Sequence, residues 1–189
     1  MLGAAHALPS LPRRVLVAGV SGAGKTTPCR RIAATASPRH TEIDRLFHGK
    51  GWSVRKEFEA DVARFSAAPA WVAEWQYSSA RRRLVDRADT LVWLDLPTPL
   101  VLARVIRRTV RRRVRREVLW NGNVEPGLWN AFLSPEGIVR WALRTRGKYR
   151  QAVPLLATTH PRLTVVRLRS QREVELWLGG PLACAVKPR

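Results

Sequence analysis

Residues 19–26 read Gly-Val-Ser-Gly-Ala-Gly-Lys-Thr. Three glycines, an ammonium group and a hydroxyl so close together are the means of holding a polyphosphate. Phosphate oxygens need donors at short range, and main-chain N–H groups reach them only where no side chain intervenes, which Gly19, Gly22 and Gly24 provide. Lys25 adds a mobile positive charge for the outer phosphates, and the Thr26 hydroxyl can ligate Mg²⁺. Ser21, Ala23 and Thr27 complete the residues expected to line the phosphates.

Two elements must position this run. The apolar residues 15–18 predict a strand leading into it, and a helix is expected from about residue 25 to 35. Strand, Gly-x-x-x-x-Gly-Lys-Thr, helix is the order of a P-loop. The helix begins with unpaired N–H groups and a positive dipole end, both favourable to an anion. Pro28 falls in its first turn, where a missing N–H costs little.

Acids close three further apolar segments. Residues 40–44 (HTEID) predict a short strand with Glu42 and Asp44 on one face, opening on the ligand crevice. The alternative is a pair of solvated turn carboxylates. Residues 71–73 predict a buried strand leading to Glu74. Residues 90–96 (TLVWLDL) predict another, closed by Asp95, which either faces the crevice or only caps the next turn. A long helix is expected over 99–119, with Leu102, Ile106, Val110, Val114 and Val118 as one apolar stripe. Arg104, Arg107, Arg108, Arg111 and their neighbours flank it with no acid before Glu117, so anions are expected nearby.

The remaining pattern alternates helix and strand. Val54, Phe58, Val62 and Phe65 recur at helical spacing before Pro69, and a helix of about ten residues runs through 81–87. Asn121-Gly122-Asn123 and Pro126-Gly127 mark a loop. A helix over 135–156 and a strand over 163–168 follow, then a helix to residue 178 opened by a capping box of Ser170 and Glu173. Residues 1–12 read as a frayed, disordered tail and 179–189 as irregular. The class is α/β, with a parallel sheet and crossover helices in one domain over 13–178 and a lid region about 104–130.

Composition narrows the function. A length of 189 residues permits a real core, and no apolar run approaches a membrane span. The N-terminus lacks the basic start and unbroken apolar run of a signal peptide, which points to a cytoplasmic protein without a membrane partner. Cys29 and Cys184 lack metal-like spacing and read as reduced thiols; His6, His40, His48 and His160 are scattered. The net charge of +20 attracts nucleic acid or acidic surfaces, yet its arginine excess suits a phosphate-handling site more directly.

In their order, the P-loop, the acids at strand ends, the Leu-Val-Trp-Leu-Asp-Leu-Pro segment and the arginine-loaded helix resemble the small P-loop nucleoside and nucleotide kinases. These are the adenylate-kinase-like group, and within it the topology modulation proteins. The resemblance covers about residues 13–178. It implies a three-layer fold with a five-stranded parallel sheet, the P-loop strand in the middle, flanking helices and a helical lid. It implies ATP and Mg²⁺ as cofactors, with the phosphate-binding lysine at Lys25 and the Mg²⁺-ligating hydroxyl at Thr26. The metal-side acid falls on Glu74, where Asp is more usual, with Glu42 as a second candidate; Asp95, from its place at a strand end, is a further candidate for placing Mg²⁺. The acceptor-side acid falls on Asp44, and the lid arginines on Arg104, Arg107, Arg108 and Arg111. The nucleobase-binding acceptor motif of adenylate kinases and a lid with zinc ligands are absent from the sequence.

The leading expectation is a phosphotransferase passing the γ-phosphate of ATP to a small acceptor, with Lys25, Asp44, Arg104 and Arg108 as catalytic residues. A nucleic-acid-associated ATPase and a nucleotide-binding regulator without transfer activity are the alternatives.

Overall fold

The computed structural model describes residues 1–124 and 147–186. The first part of the helix expected over 135–156, the Pro126-Gly127 turn and the end of the lid region lie outside the described residues.

Five strands form one parallel sheet: β1 (Arg14–Ala18), β2 (Arg39–Thr41), β3 (Trp71–Glu74), β4 (Thr90–Leu94) and β5 (Thr164–Leu168), in the order β2-β3-β1-β4-β5. The strand that feeds the glycine-rich turn is therefore central, paired with β3 and β4 on either side. Its side chains alternate between two cores. Val15 and Val17 meet α1 (Thr26–Ala36) and the C-terminal segment through Cys29, Ile32, Trp177 and Leu182. Leu16 and Ala18 meet α3 (Phe58–Ser66), α4 (Ser78–Arg87) and α6 (Lys148–Thr159) through Phe58, Val62, Leu84 and Val153. Helices on both faces are what a sheet of fully buried apolar strands requires. The architecture is the expected α/β one, with a five-stranded parallel sheet and flanking helices.

Several local expectations are corrected. The strand over 40–44 ends at Thr41; Glu42 precedes a short helix, α2 (Ile43–Phe47), and Asp44 stands in its first turn. Glu42 and Asp44 therefore do not share a strand face. Ile43, fully buried, turns the chain into the core and ends the extended run. Val54 is 61 % exposed and pairs with His48 in an isolated bridge rather than opening α3.

The long helix, α5, spans Thr98–Val114, and its buried face is Val101, Val105 and Thr109, one residue earlier than the expected stripe. Val114 and Val118 are 74 % and 73 % exposed. The segment before Arg13, read as a tail, is ordered: Leu2 bridges Val166, with its N–H on the Val165 carbonyl at 2.7 Å and its carbonyl receiving Arg167 N–H at 2.8 Å.

The capping box opens α7 (Gln171–Trp177), where Glu173 N–H donates to Ser170 Oγ at 3.1 Å, while the Glu173 carboxylate reaches back to the N–H of Arg169. Beyond Trp177 the chain stays helical rather than irregular: Leu178–Leu182 forms a π-turn and Ala183–Val186 a final α-turn. Burial of Leu178 and Leu182 beside Trp177 outweighs the breaking tendency of Gly179, Gly180 and Pro181.

Candidate active site

The turn between β1 and α1 wraps around the Lys25 side chain. Its ammonium donates to the Gly19 carbonyl at 2.9 Å and the Val20 carbonyl at 3.3 Å, and the residue is 8 % exposed. Burial pulls the Lys25 pKa below its ordinary value, and the nearby Asp44 and Glu74 carboxylates oppose that shift. Gly22 (φ +84°) and Gly24 (φ +82°) lie in the region that favours glycine. At Gly22 the neighbour is not empty space for a ligand: a Cβ there would sit 2.4 Å from Val105 Cγ2 and 2.7 Å from the Val101 carbonyl. This glycine lets α5 lie directly on the loop.

That approach carries the arginines with it. Arg108 donates to Ser21 Oγ at 3.2 Å, and Arg104 donates to the Ala23 carbonyl at 3.4 Å and to Gln171 Oε1 at 2.9 Å. A cavity of about 490 Å³ lies beside the loop, lined by Gly24, Thr27, Arg104, Arg107, Arg108 and Arg111 among others. Arg111 also pairs with Glu117 at 3.1 Å.

Asp44, a near neighbour of Lys25, is held by Gln76 Nε2 at 2.9 Å and by the Tyr77 hydroxyl at 2.6 Å. Tyr77 adopts φ 55° and ψ 118°, a backbone geometry costing roughly 1–3 kcal/mol in a non-glycine residue. Its ring stacks on Phe47 at 3.7 Å, and its hydroxyl also meets His48 Nε2 at 3.1 Å. Burial and the adjacent Asp44 push the Tyr77 phenol far above its ordinary value, so it stays a hydrogen-bond donor. Glu74 ends β3 at 4 % exposure, its carboxylate 3.4 Å from the Ile43 N–H and 3.6 Å from His40 Nε2. Burial acts to raise this carboxyl, while the facing His40 and main-chain N–H groups together act to lower it, leaving the value below normal.

The Asp44 and Glu74 carboxylates near Lys25 are oxygen donors of the kind that Mg²⁺ takes. Asp95 does not join them. Its carboxylate takes Arg150 Nε and Arg167 Nε, each at 3.0 Å, and ties the end of β4 to β5 and α6. Glu42 is likewise engaged, by Arg30 at 2.6 Å and Trp120 Nε1 at 3.2 Å.

Two solved structures share this arrangement of chain. A gluconokinase from Sinorhizobium meliloti 1021 superposes with a TM-score of 0.52 at 19 % identity, over 93 % of this chain and 95 % of that one. A shikimate kinase from Acinetobacter baumannii in complex with shikimate gives 0.51 at 19 %, over 88 % and 89 %. The chain shares the fold of these two kinases. Neither a protein-family model nor a curated protein matches the chain. No helix among the described residues is long and apolar enough to cross a membrane.

Sequence reasoning missed the contacts that join the far end of α5 to α2. Asn123, 4 % exposed, accepts the Trp52 N–H at 3.0 Å and donates to the Gly49 carbonyl at 2.8 Å. Asn121 donates to the His48 carbonyl. Asn121-Gly122-Asn123 was legible as a turn, but its partner loop at 48–54 carried no matching signal. Gln76 and Tyr77 were equally silent, since their role depends on Asp44 leaving the strand.

Proposed function

We propose that this chain is an ATP-dependent phosphotransferase acting on a small hydroxylated or phosphorylated acceptor. The observation that carries the reading is the laying of Arg104 and Arg108 across the P-loop, opposite the buried Lys25. Guanidiniums aimed at the loop suit charge that develops on a transferred phosphoryl group; arginines serving a nucleic-acid backbone would be turned outward.

In this reading the amides of residues 19–27 and Lys25 take the β- and γ-phosphates, and the 490 Å³ cavity receives the nucleotide. With nucleotide present, Lys25 exchanges the Gly19 and Val20 carbonyls for phosphate oxygens. Thr26 would hold Mg²⁺ and Glu74 would order one of its waters; the ion, when bound, neutralises phosphate charge. Asp44, fixed by Tyr77 and Gln76, positions the acceptor hydroxyl and accepts its proton. The shikimate kinase and gluconokinase neighbours support a small-molecule acceptor.

The test is incubation of the protein with labelled ATP, Mg²⁺ and pooled sugars, hydroxy acids, nucleosides and nucleotides. A labelled small product is expected, and it should disappear in Lys25→Ala while the circular dichroism spectrum is kept. Arg108→Ala should lower kcat by a factor on the order of 10³ with ATP affinity nearly unchanged. Phosphate release only with DNA or RNA, falling steeply with salt, would replace this reading with a nucleic-acid-dependent ATPase.

A further inference from the structure

We propose that Cys29, His40 and Glu74 form a buried binding site for one borderline-soft divalent cation of the Zn²⁺ class. The three residues come from α1, the edge strand β2 and the end of β3, and nothing in their sequence spacing joins them. In the fold, one donor atom from each lies within 4.8 Å of the other two. Cys29 is fully buried, and the side chains of His40 and Glu74 are 12 % and 5 % exposed.

Two of these groups are poorly satisfied. His40 Nε2 is buried without a hydrogen-bond partner among the described residues, facing Glu74 Oε1 at 3.6 Å. The other Glu74 oxygen accepts a long contact, 3.4 Å, from the Ile43 N–H. A buried carboxylate facing a ring nitrogen at ion-pair distance, but beyond hydrogen-bond reach, is incompletely satisfied. One cation between them meets both needs.

The donor chemistry selects the ion. Thiolate, imidazole and carboxylate together suit Zn²⁺ or Co²⁺, whereas Mg²⁺ and Ca²⁺ take oxygen. With bond lengths of about 2.0–2.3 Å, tetrahedral Zn²⁺ places its ligand atoms roughly 3.3–3.6 Å apart. The His40–Glu74 pair already stands at 3.6 Å, so only the widest separations must shrink, by about an ångström. On binding, the Cys29 thiol releases its proton to solvent as sulfur takes the metal. Thiolate and carboxylate then balance the ion's two charges, leaving a neutral buried unit. Lys25 does not block the site, because its ammonium is drawn onto the Gly19 and Val20 carbonyls. A metal here would bind the P-loop helix to both strands on the acceptor side of the sheet.

The proposal does not depend on phosphotransfer, though a cation bound here takes Glu74 away from the Mg²⁺-bound water assigned to it above; its test reads no activity. Full-length protein, reduced and stripped with chelator, is titrated with Co²⁺. One equivalent should give a thiolate-to-cobalt charge-transfer band in the near ultraviolet and intense visible bands of four-coordinate cobalt. Cys29→Ser should remove the near-ultraviolet band, and Cys184→Ser, at the exposed thiol, should keep it. His40→Asn, at the edge strand, should weaken binding at least about tenfold. Zn²⁺ should raise the melting temperature of wild type but not of Cys29→Ser. Should Cys29→Ser fail to fold, His40→Asn decides the matter. No charge-transfer band in wild type, its loss in Cys184→Ser, or unchanged affinity in His40→Asn would overturn the site. Mg²⁺-ATP calorimetry on the stripped protein reports separately on the kinase reading.

Discussion

Gly22 lies directly against Val105, so closely that a single methyl group on the glycine would come within 2.4 Å of the valine Cγ2. Gly24 has the same left-handed backbone, yet a methyl there would find nothing nearer than Arg104 at 3.6 Å. Gly22→Ala is expected to be destabilised by about 2–5 kcal/mol, from backbone strain plus overpacking. Gly24→Ala should lose only the strain component, about 1–2 kcal/mol. Urea denaturation of the pair checks this; equal losses would mean that α5 does not rest on the loop.

The same packing decides which stripe of α5 matters. Val105→Ala, at a fully buried position, should cost about 2 kcal/mol. Val114→Ala, 74 % exposed, should stay within about 0.5 kcal/mol of wild type. The reverse ranking in thermal melts would restore the stripe through Ile106 and Val110.

How much of this was legible in advance varies with the kind of signal. The P-loop, β1, β3 and β4 were readable because buried parallel strands and a glycine-lysine turn leave local traces. The buried stripe has two valines before the polar Thr109, and the longer apolar one attracted the assignment; only the approach allowed by Gly22 selects Val101 and Val105. The strand through Asp44 failed because its three residues are too few to show a period, and Ile43 serves a helix as readily. Asp95 was named for its position at a strand end, but its partners Arg150 and Arg167 come from distant elements. The pairing of Leu2 with β5 uses only main-chain atoms, which no side-chain pattern announces.

Tyr77→Phe removes the 2.6 Å hydrogen bond to Asp44 while keeping the stack on Phe47. Once an acceptor is in hand, the variant should lose about tenfold in kcat/KM for it, with KM for ATP unchanged. Steady-state kinetics varied in each substrate separates the two. Equal loss toward both substrates would detach Tyr77 from the acceptor step.

Asp95 governs an acid-sensitive part of the stability. Burial acts to raise its carboxyl, but hydrogen bonds from Arg167 and Arg150 prevail and hold it below the ordinary value. A carboxyl depressed in the folded state stabilises fully above the unfolded value of about 3.9, and that contribution disappears as pH falls through the folded value. Asp95→Asn should therefore cost about 1–3 kcal/mol at neutral pH, with the gap from wild type closing below about pH 4. A gap as wide at pH 2.5 as at pH 7 would show that the charge on Asp95 contributes nothing.

The bridge from Leu2 to Val166 has a practical meaning for handling the protein. By occupying the outer side of β5, those first residues shield a rim of main-chain donors and acceptors on which another molecule could build a strand. A fusion partner attached at residue 1 hangs from that rim, and trimming the first few residues would bare it to strand addition by another chain.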